Sequence, residues 1–419
     1  MTVAAPRNLR PLRHTGFRRL VAGQLTSNLG DMCYAVALPW YVLAHHGGPL
    51  LLATVLAAYG VPRTVVVAVG GHASDRWGPW TVMMGADAAR AAAVGGFAAA
   101  AWTGPARALL LVPIAVVLGA CEGLFLPASF SIVPRLLPAD ELQAGNALSS
   151  GGTQLATLAG PAVGGLLVAL AGPAPAFAAD AASFAASALT LAGIRRGEQV
   201  LAAAAVQPER GAAPATVRRL LRSEPILWVV LTASLVANLG SGGLSEVALP
   251  ALAHGPLHAG AAGYGGLVAA FGGGALAGTL LVGVVRPTRR PAIIGSAVFV
   301  GQAAVMAAGP YLGGAVGLGA ALAMLGACNG FGNVIMITAF QHWAPPEALG
   351  RLMGVLMLAS FGVFPLSVLL AGVVTRTLGA AAFFPLAAAP LAVAMVGALA
   401  VREWRQFETP GSLELMPDG

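Results

Sequence analysis

The chain has 419 residues, of which 57% are hydrophobic and only 9% charged, and its mean hydropathy is +0.79. Soluble domains carry about 25% charge and disordered chains combine low hydrophobicity with high charge, so both classes are excluded. The formal charge of +7 rests on Arg alone, for there is no Lys. These residues fall in small clusters between apolar stretches, not in the single basic stripe of a nucleic-acid surface.

The remaining class is an all-α integral membrane protein. Apolar runs punctuated by Arg, Pro and Gly predict twelve spans, at 20–44, 50–71, 81–102, 107–130, 143–171, 174–194, 225–252, 260–285, 291–309, 313–340, 348–375 and 378–401. This divides the chain into an N-terminal segment (1–19), a six-helix bundle (20–194), a linker (195–224), a second six-helix bundle (225–401) and a tail (402–419). The first apolar run carries Asp31 and lacks a small-residue cleavage site, so it reads as a retained helix and not a signal peptide. Nineteen Arg lie on the side of the N-terminus, against Arg107 and Arg376 opposite, which predicts that both termini and the linker are cytoplasmic. Cys33, Cys121 and Cys328 fall inside apolar runs without a CxxC pair, which argues against a disulfide framework or zinc site.

A charge at bilayer depth costs at least ~2.5–3.5 kcal/mol on insertion scales, so each one is a functional candidate. In span 1, Gln24, Asn28 and Asp31 share one helix face. Asp31, if desolvated there, can take up and release protons; the alternative is a hydrogen-bonding role that only fixes packing. Arg63 in span 2 requires a carboxylate, and Asp31 is the first expected partner. Asp87 and Arg90 stand one turn apart near the inner end of span 3. Glu122, deep in span 4, is the second proton-coupling candidate. Asp180 in span 6 and Glu246 in span 7 follow, with structural or gating roles equally compatible. Asn146, Asn238, Asn329 and Asn333 join Gln24, Asn28 and Arg63 as candidate cavity-lining groups. No Walker loop, nucleophile elbow or HExxH occurs, so no cofactor, metal or enzymatic chemistry is expected.

The two halves repeat. Asn28-Leu29-Gly30 matches Asn238-Leu239-Gly240 at a shift of 210, and Leu118–Gly123 matches Leu325–Gly330 at a shift of 207, with Glu122 replaced by Asn329. Two parallel six-helix halves joined by a linker are a transporter architecture.

The segment Gly71-His-Ala-Ser-Asp75-Arg76-Trp-Gly78-Pro-Trp80 resembles the major facilitator superfamily signature G-x-x-x-D-R-x-G-R-R/K, with its final basic pair replaced. Gly160-Pro161-Ala-Val-Gly164-Gly165 in span 5 is similar to the core of that superfamily's antiporter motif. The opening run Phe17–Asp31, with Pro138–Leu148 and Gly350–Gly354, resembles its macrolide/siderophore-type drug:proton antiporter branch. The resemblance implies a multi-pass protein of the bacterial cytoplasmic membrane that exports a small amphipathic or hydrophobic molecule in exchange for protons, as a monomer in the lipid bilayer. It also implies a conformational gate at Gly71, Asp75, Arg76 and Gly78, extended by Asp87 and Arg90, with Gly160, Pro161, Gly164 and Gly165 permitting close helix approach. The Arg that often serves proton coupling in span 4 is missing here, since none follows Arg107 up to residue 123. Uptake of a small solute or siderophore, proton-coupled or facilitated, is the alternative; a non-transporting receptor or assembly partner ranks lower.

Overall fold

The computed structural model describes residues 7–45, 47–103, 108–194, 224–284, 290–344 and 346–406. Twelve long helices follow one another: α1 (Thr15–Ala44), α2 (Gly48–Trp77), α3 (Pro79–Thr103), α4 (Ala108–Leu136), α5 (Leu142–Ala171), α6 (Pro173–Ala192), α7 (Pro225–His254), α8 (Gly260–Val284), α9 (Pro291–Ala308), α10 (Gly314–Trp343), α11 (Pro346–Leu378) and α12 (Ala380–Ala398). A short α13 (Arg402–Arg405) ends the described chain. The expected spans and these helices agree to within several residues, apart from the start of span 4 and the end of span 8, since residues 107 and 285 lie outside the described residues. Most of the expected linker, 195–223, also lies outside them.

Ten of these helices, α2 and α4 to α12, are long and apolar enough to cross a membrane. The other two, α1 and α3, are 30 and 25 residues long but carry Asp31, Asp87 and Arg90, the charges from which the candidate site is built. Proline opens α3, α6, α7, α9 and α11, where its missing N–H is no loss. Gly78, Gly172 and Gly379 make the sharp turns before α3, α6 and α12 with φ of +81°, +82° and +90°, a region that a Cβ disfavours.

Contacts divide the chain into two compact units, Met1–Glu209 with Gly260–Gly265, and Arg210–Ala259 with Gly266–Gly419. Each shows the same neighbour pattern. In the first, α1 packs on α5 and α6, while α3 packs on α4 and α6; in the second, α7 packs on α11 and α12, while α9 packs on α10 and α12. The repeat reaches atomic contacts. A Cβ on Gly119 of α4 would meet the Tyr59 carbonyl, and one on Gly326 of α10 would meet the Phe271 carbonyl, both at 2.0 Å. Such contacts let backbones approach closely, as small residues do between membrane helices.

Three local features differ from the sequence expectation. The signature segment is not a loop: α2 continues to Trp77, which places Asp75 and Arg76 in its last turn, where the helix dipole suits the guanidinium and not the carboxylate. The helix α7 carries a π-helical turn at Leu244–Ala248 that includes Glu246. The tail begins with a structured turn, since Trp404 is buried against Ile226, Ala292, Ala339 and Ala398 and its Nε1–H donates to Ser296 Oγ at 3.0 Å.

Candidate functional site

The N-terminal unit gathers its charges halfway along its helices. Arg90 of α3 donates from Nη2 to Asp87 Oδ1 at 2.5 Å and from Nη1 to Glu122 Oε2 of α4 at 2.9 Å. Its guanidinium lies between the Phe125 and Phe184 rings, 4.5 and 4.4 Å from their centroids, and the side chain is only 3% exposed. Such a cation is held by charge-assisted hydrogen bonds and by two ring faces at once. The Ser187 hydroxyl of α6 donates to the second Asp87 oxygen at 2.7 Å, so three helices are tied together.

Arg63 of α2 lies 4.0 Å from Glu122 Oε1. The expectation that Asp31 would be its first carboxylate partner is therefore corrected: α2 and α4 pack closely, and the Gly123 contact brings the Arg63 backbone against α4. Asp87 and Arg90 likewise do not sit at the inner end of their helix beside the signature segment. They stand about halfway along α3 and pair with Glu122, because the helix begins at Pro79 and rises ~1.5 Å per residue.

Asp31 of α1 lies within Coulombic range of Arg90, Glu122, Asp87 and Arg63, and Asp180 of α6 within range of Asp31 and Arg90. Asp180 is buried, receives the Ser183 hydroxyl at 3.5 Å and faces Gly30, whose missing Cβ makes room for it. Neither aspartate forms an ion pair among the described residues. Six ionisable groups thus share one region, with four carboxylates and two guanidiniums. Phe125, Phe184 and Ser187 were not singled out from sequence. The signal for Ser187 was the Asp180, Ser183, Ser187 spacing, which puts all three on one face of α6.

Other candidates fall elsewhere. Asn28 Nδ2 donates to Thr153 Oγ1 of α5 at 3.1 Å, and Asn238 Nδ2 to Ser360 Oγ of α11 at 3.2 Å, so these two form equivalent interhelical bridges in the two units. Gln24 is half-buried on α1 and Asn146 is exposed on α5. Asn333 donates to Asn329 Oδ1 at 3.1 Å along α10. Glu246 occupies the π turn of α7 with no charged group close to it among the described residues. Gly71, Asp75, Arg76 and Gly78 form the end of α2, with Asp75 and Arg76 exposed. Gly160 and Gly164 meet Met32 and Cys33 of α1, where a Cβ would fall within 2.3 and 2.8 Å, and Pro161 and Gly165 are buried beside them.

The chain is similar to known proteins along nearly its whole length. A family model described as transmembrane secretion effector matches residues 7–415. The multidrug efflux pump Tap of Mycobacterium tuberculosis is 28% identical over 400 residues, covering 90% of this chain and 91% of that protein. An uncharacterized MFS-type transporter, y4rN of Sinorhizobium fredii, is 28% identical over 390 residues, covering 92% and 94%. Among solved structures, a D-xylose–proton symporter shares the fold with a TM-score of 0.71 at 17% identity, covering 95% of this chain and 99% of that one. An all-helical, multi-pass chain with this internal repeat and this family match belongs to the transmembrane secretion effector family of major facilitator superfamily transporters, and not to a family of enzymes.

Proposed function

We propose that this transporter exports a small amphipathic or hydrophobic molecule across the cytoplasmic membrane in exchange for protons. The observation that carries the reading is the charge imbalance in the N-terminal unit. Among the described residues Asp31, Asp87, Glu122 and Asp180 face only Arg63 and Arg90, so full ionisation leaves two carboxylates uncompensated at bilayer depth. An uncompensated charge there is costly, and binding a proton removes it. Asp87 and Glu122 are paired with Arg90, which leaves Asp31 and Asp180, outside any ion pair among the described residues, as the groups that exchange protons. Transport proceeds by alternating access, and protonation changes which conformation is favoured. The direction of transport follows the efflux relatives. The Arg bias supports cytoplasmic termini, and residues 20–194 and 225–401 supply the two bundles of a monomer.

The test is ethidium efflux from energised cells, comparing wild type with Asp31→Asn and Asp180→Asn at equal membrane expression, with and without a protonophore. Efflux abolished by the protonophore and by at least one substitution supports the reading. Efflux that survives the protonophore refutes proton coupling, and wild-type efflux in both variants refutes the role of this cluster.

A further inference from the structure

The repeat breaks step in the first helix of each unit. Asn28-Leu29-Gly30 of α1 matches Asn238-Leu239-Gly240 of α7 at a shift of 210, but Ala37-Leu38-Pro39 matches Ala248-Leu249-Pro250 at a shift of 211. The helix α7 therefore carries one inserted residue between Gly240 and Ala248. Its π-helical turn, Leu244–Ala248, lies in that interval, where the Leu249 N–H donates to the Leu244 carbonyl, five residues back instead of four. Such turns are frequent at functional sites. Proline alone does not cause this one, since α1 runs through Pro39 as an unbroken α-helix.

Ser367 of α11, fully buried, enters α7 just before the turn. Its hydroxyl donates to the Leu239 carbonyl at 2.5 Å and accepts the Gly243 N–H at 2.6 Å, the two groups that one rung of an α-helix pairs with each other. A side chain that enters the ladder in this way distorts a helix at that point. The N-terminal unit has the opposite arrangement. At a shift of 207 for α11 and 210 for α7, Ser367 and Gly242 correspond to Gly160 and Met32, so the small residue lies on α5 in one unit and on α7 in the other. The contacts agree: a Cβ on Gly160 would meet Met32 at 2.3 Å, and one on Gly242 would meet Ser367 Oγ at 3.1 Å.

Glu246 is carried on this turn. It is half-buried, and its carboxylate forms no ion pair or hydrogen bond among the described residues. The turn packs on α11 and α12. No titratable side chain occurs in α12; α11 carries Arg376, exposed in its last turn, and Glu347 and Arg351 about four turns before Ser367; α7 itself carries His254 at its end. None of them pairs with Glu246, so its ionised form stands uncompensated at bilayer depth, and binding a proton removes that charge. We infer that Ser367 is a positioning residue: by fixing the inserted residue as a π turn, it presents Glu246 as a proton-exchanging carboxyl of the C-terminal unit, separate from the charge cluster of the N-terminal unit. The proton comes from water, forms the carboxyl O–H, and returns to water when that bond breaks. That the exchange accompanies transport rests on the function proposed above; the proton site itself does not.

The test is labelling of the full-length protein in detergent by dicyclohexylcarbodiimide, an apolar reagent that adds to a carboxyl only in its protonated form, with adducts read by peptide mass spectrometry. At neutral pH Glu246 should be labelled at least tenfold faster than the exposed Glu403 of α13, at a rate that falls as the buffer is made alkaline. Equal rates at neutral pH overturn the proton site with no variant needed. Ser367→Ala, shown to be folded by its Tm, should move the midpoint of the Glu246 profile by roughly one pH unit or more, whereas Ser367→Thr, which keeps the hydroxyl, should retain the wild-type midpoint. An unmoved midpoint in Ser367→Ala overturns the positioning role, and so does an equal move in Ser367→Thr, which assigns the effect to packing. If Ser367→Ala does not fold, Ser367→Cys takes its place, since a thiol fills the space with much weaker hydrogen bonds. Asp31→Asn combined with Asp180→Asn should leave the Glu246 profile where it is; a moved midpoint overturns its separation from the N-terminal cluster. Labelling requires no transport, so its failure is distinguishable from failure of the efflux test.

Discussion

Replacing Arg90 with Met removes the one cation that Asp87 and Glu122 share. The side chain is 3% exposed, donates at 2.5 and 2.9 Å, and stacks between two phenyl rings. Removing one partner of a buried ion pair costs about 3–5 kcal/mol, because the partners left behind remain charged and unpaired. At roughly 2–4 °C per kcal/mol for a unit of this size, the Tm in detergent should fall by about 6–20 °C. Arg90→Lys keeps the charge but loses the planar fork and the ring stacking, so it should fall between Met and wild type. The triple variant Asp87→Asn, Arg90→Met, Glu122→Gln should recover part of the loss, since the two carboxylates that Arg90 leaves behind are neutral and Arg63, the partner that Glu122 gives up, still faces Asp31. Differential scanning fluorimetry of the four proteins decides the matter. A Tm for Arg90→Met within about 2 °C of wild type, or a triple variant no better than the single, would show that the cluster is not the buried ion pair described here.

Three further outcomes follow from the packing. Gly119→Ala and Gly326→Ala should each lower the Tm by an amount matching about 1–3 kcal/mol of overpacking, whereas Gly71→Ala, with nothing within 4 Å of its Cβ, should change it little; equal effects at all three would contradict the helix contacts. Trp404→Ala should cost about 3–5 kcal/mol and Ser296→Ala about 1–3 kcal/mol, read as loss of Tm in the full-length protein, while a tail that contributed nothing would leave both unchanged. Glu246→Gln breaks no ion pair, so its Tm should equal or exceed that of wild type; a drop of several degrees would reveal a counter-charge for this carboxylate.

Much of this protein is legible in the sequence because helices in a bilayer must satisfy their own backbone hydrogen bonds, so length and apolarity alone outline them. The repeat was equally readable where small residues are required, as in Leu118–Gly123 and Leu325–Gly330, since close backbone approach constrains residue type in both halves. The ionisable residues of the site were visible one by one, each costly at that depth. Their partnerships were not. Whether Arg63 meets Asp31 or Glu122 depends on which helices are neighbours, and periodicity along one helix carries no information about that. The same limit hid Ser187 behind Asp87, the phenyl rings around Arg90 and the burial of Trp404.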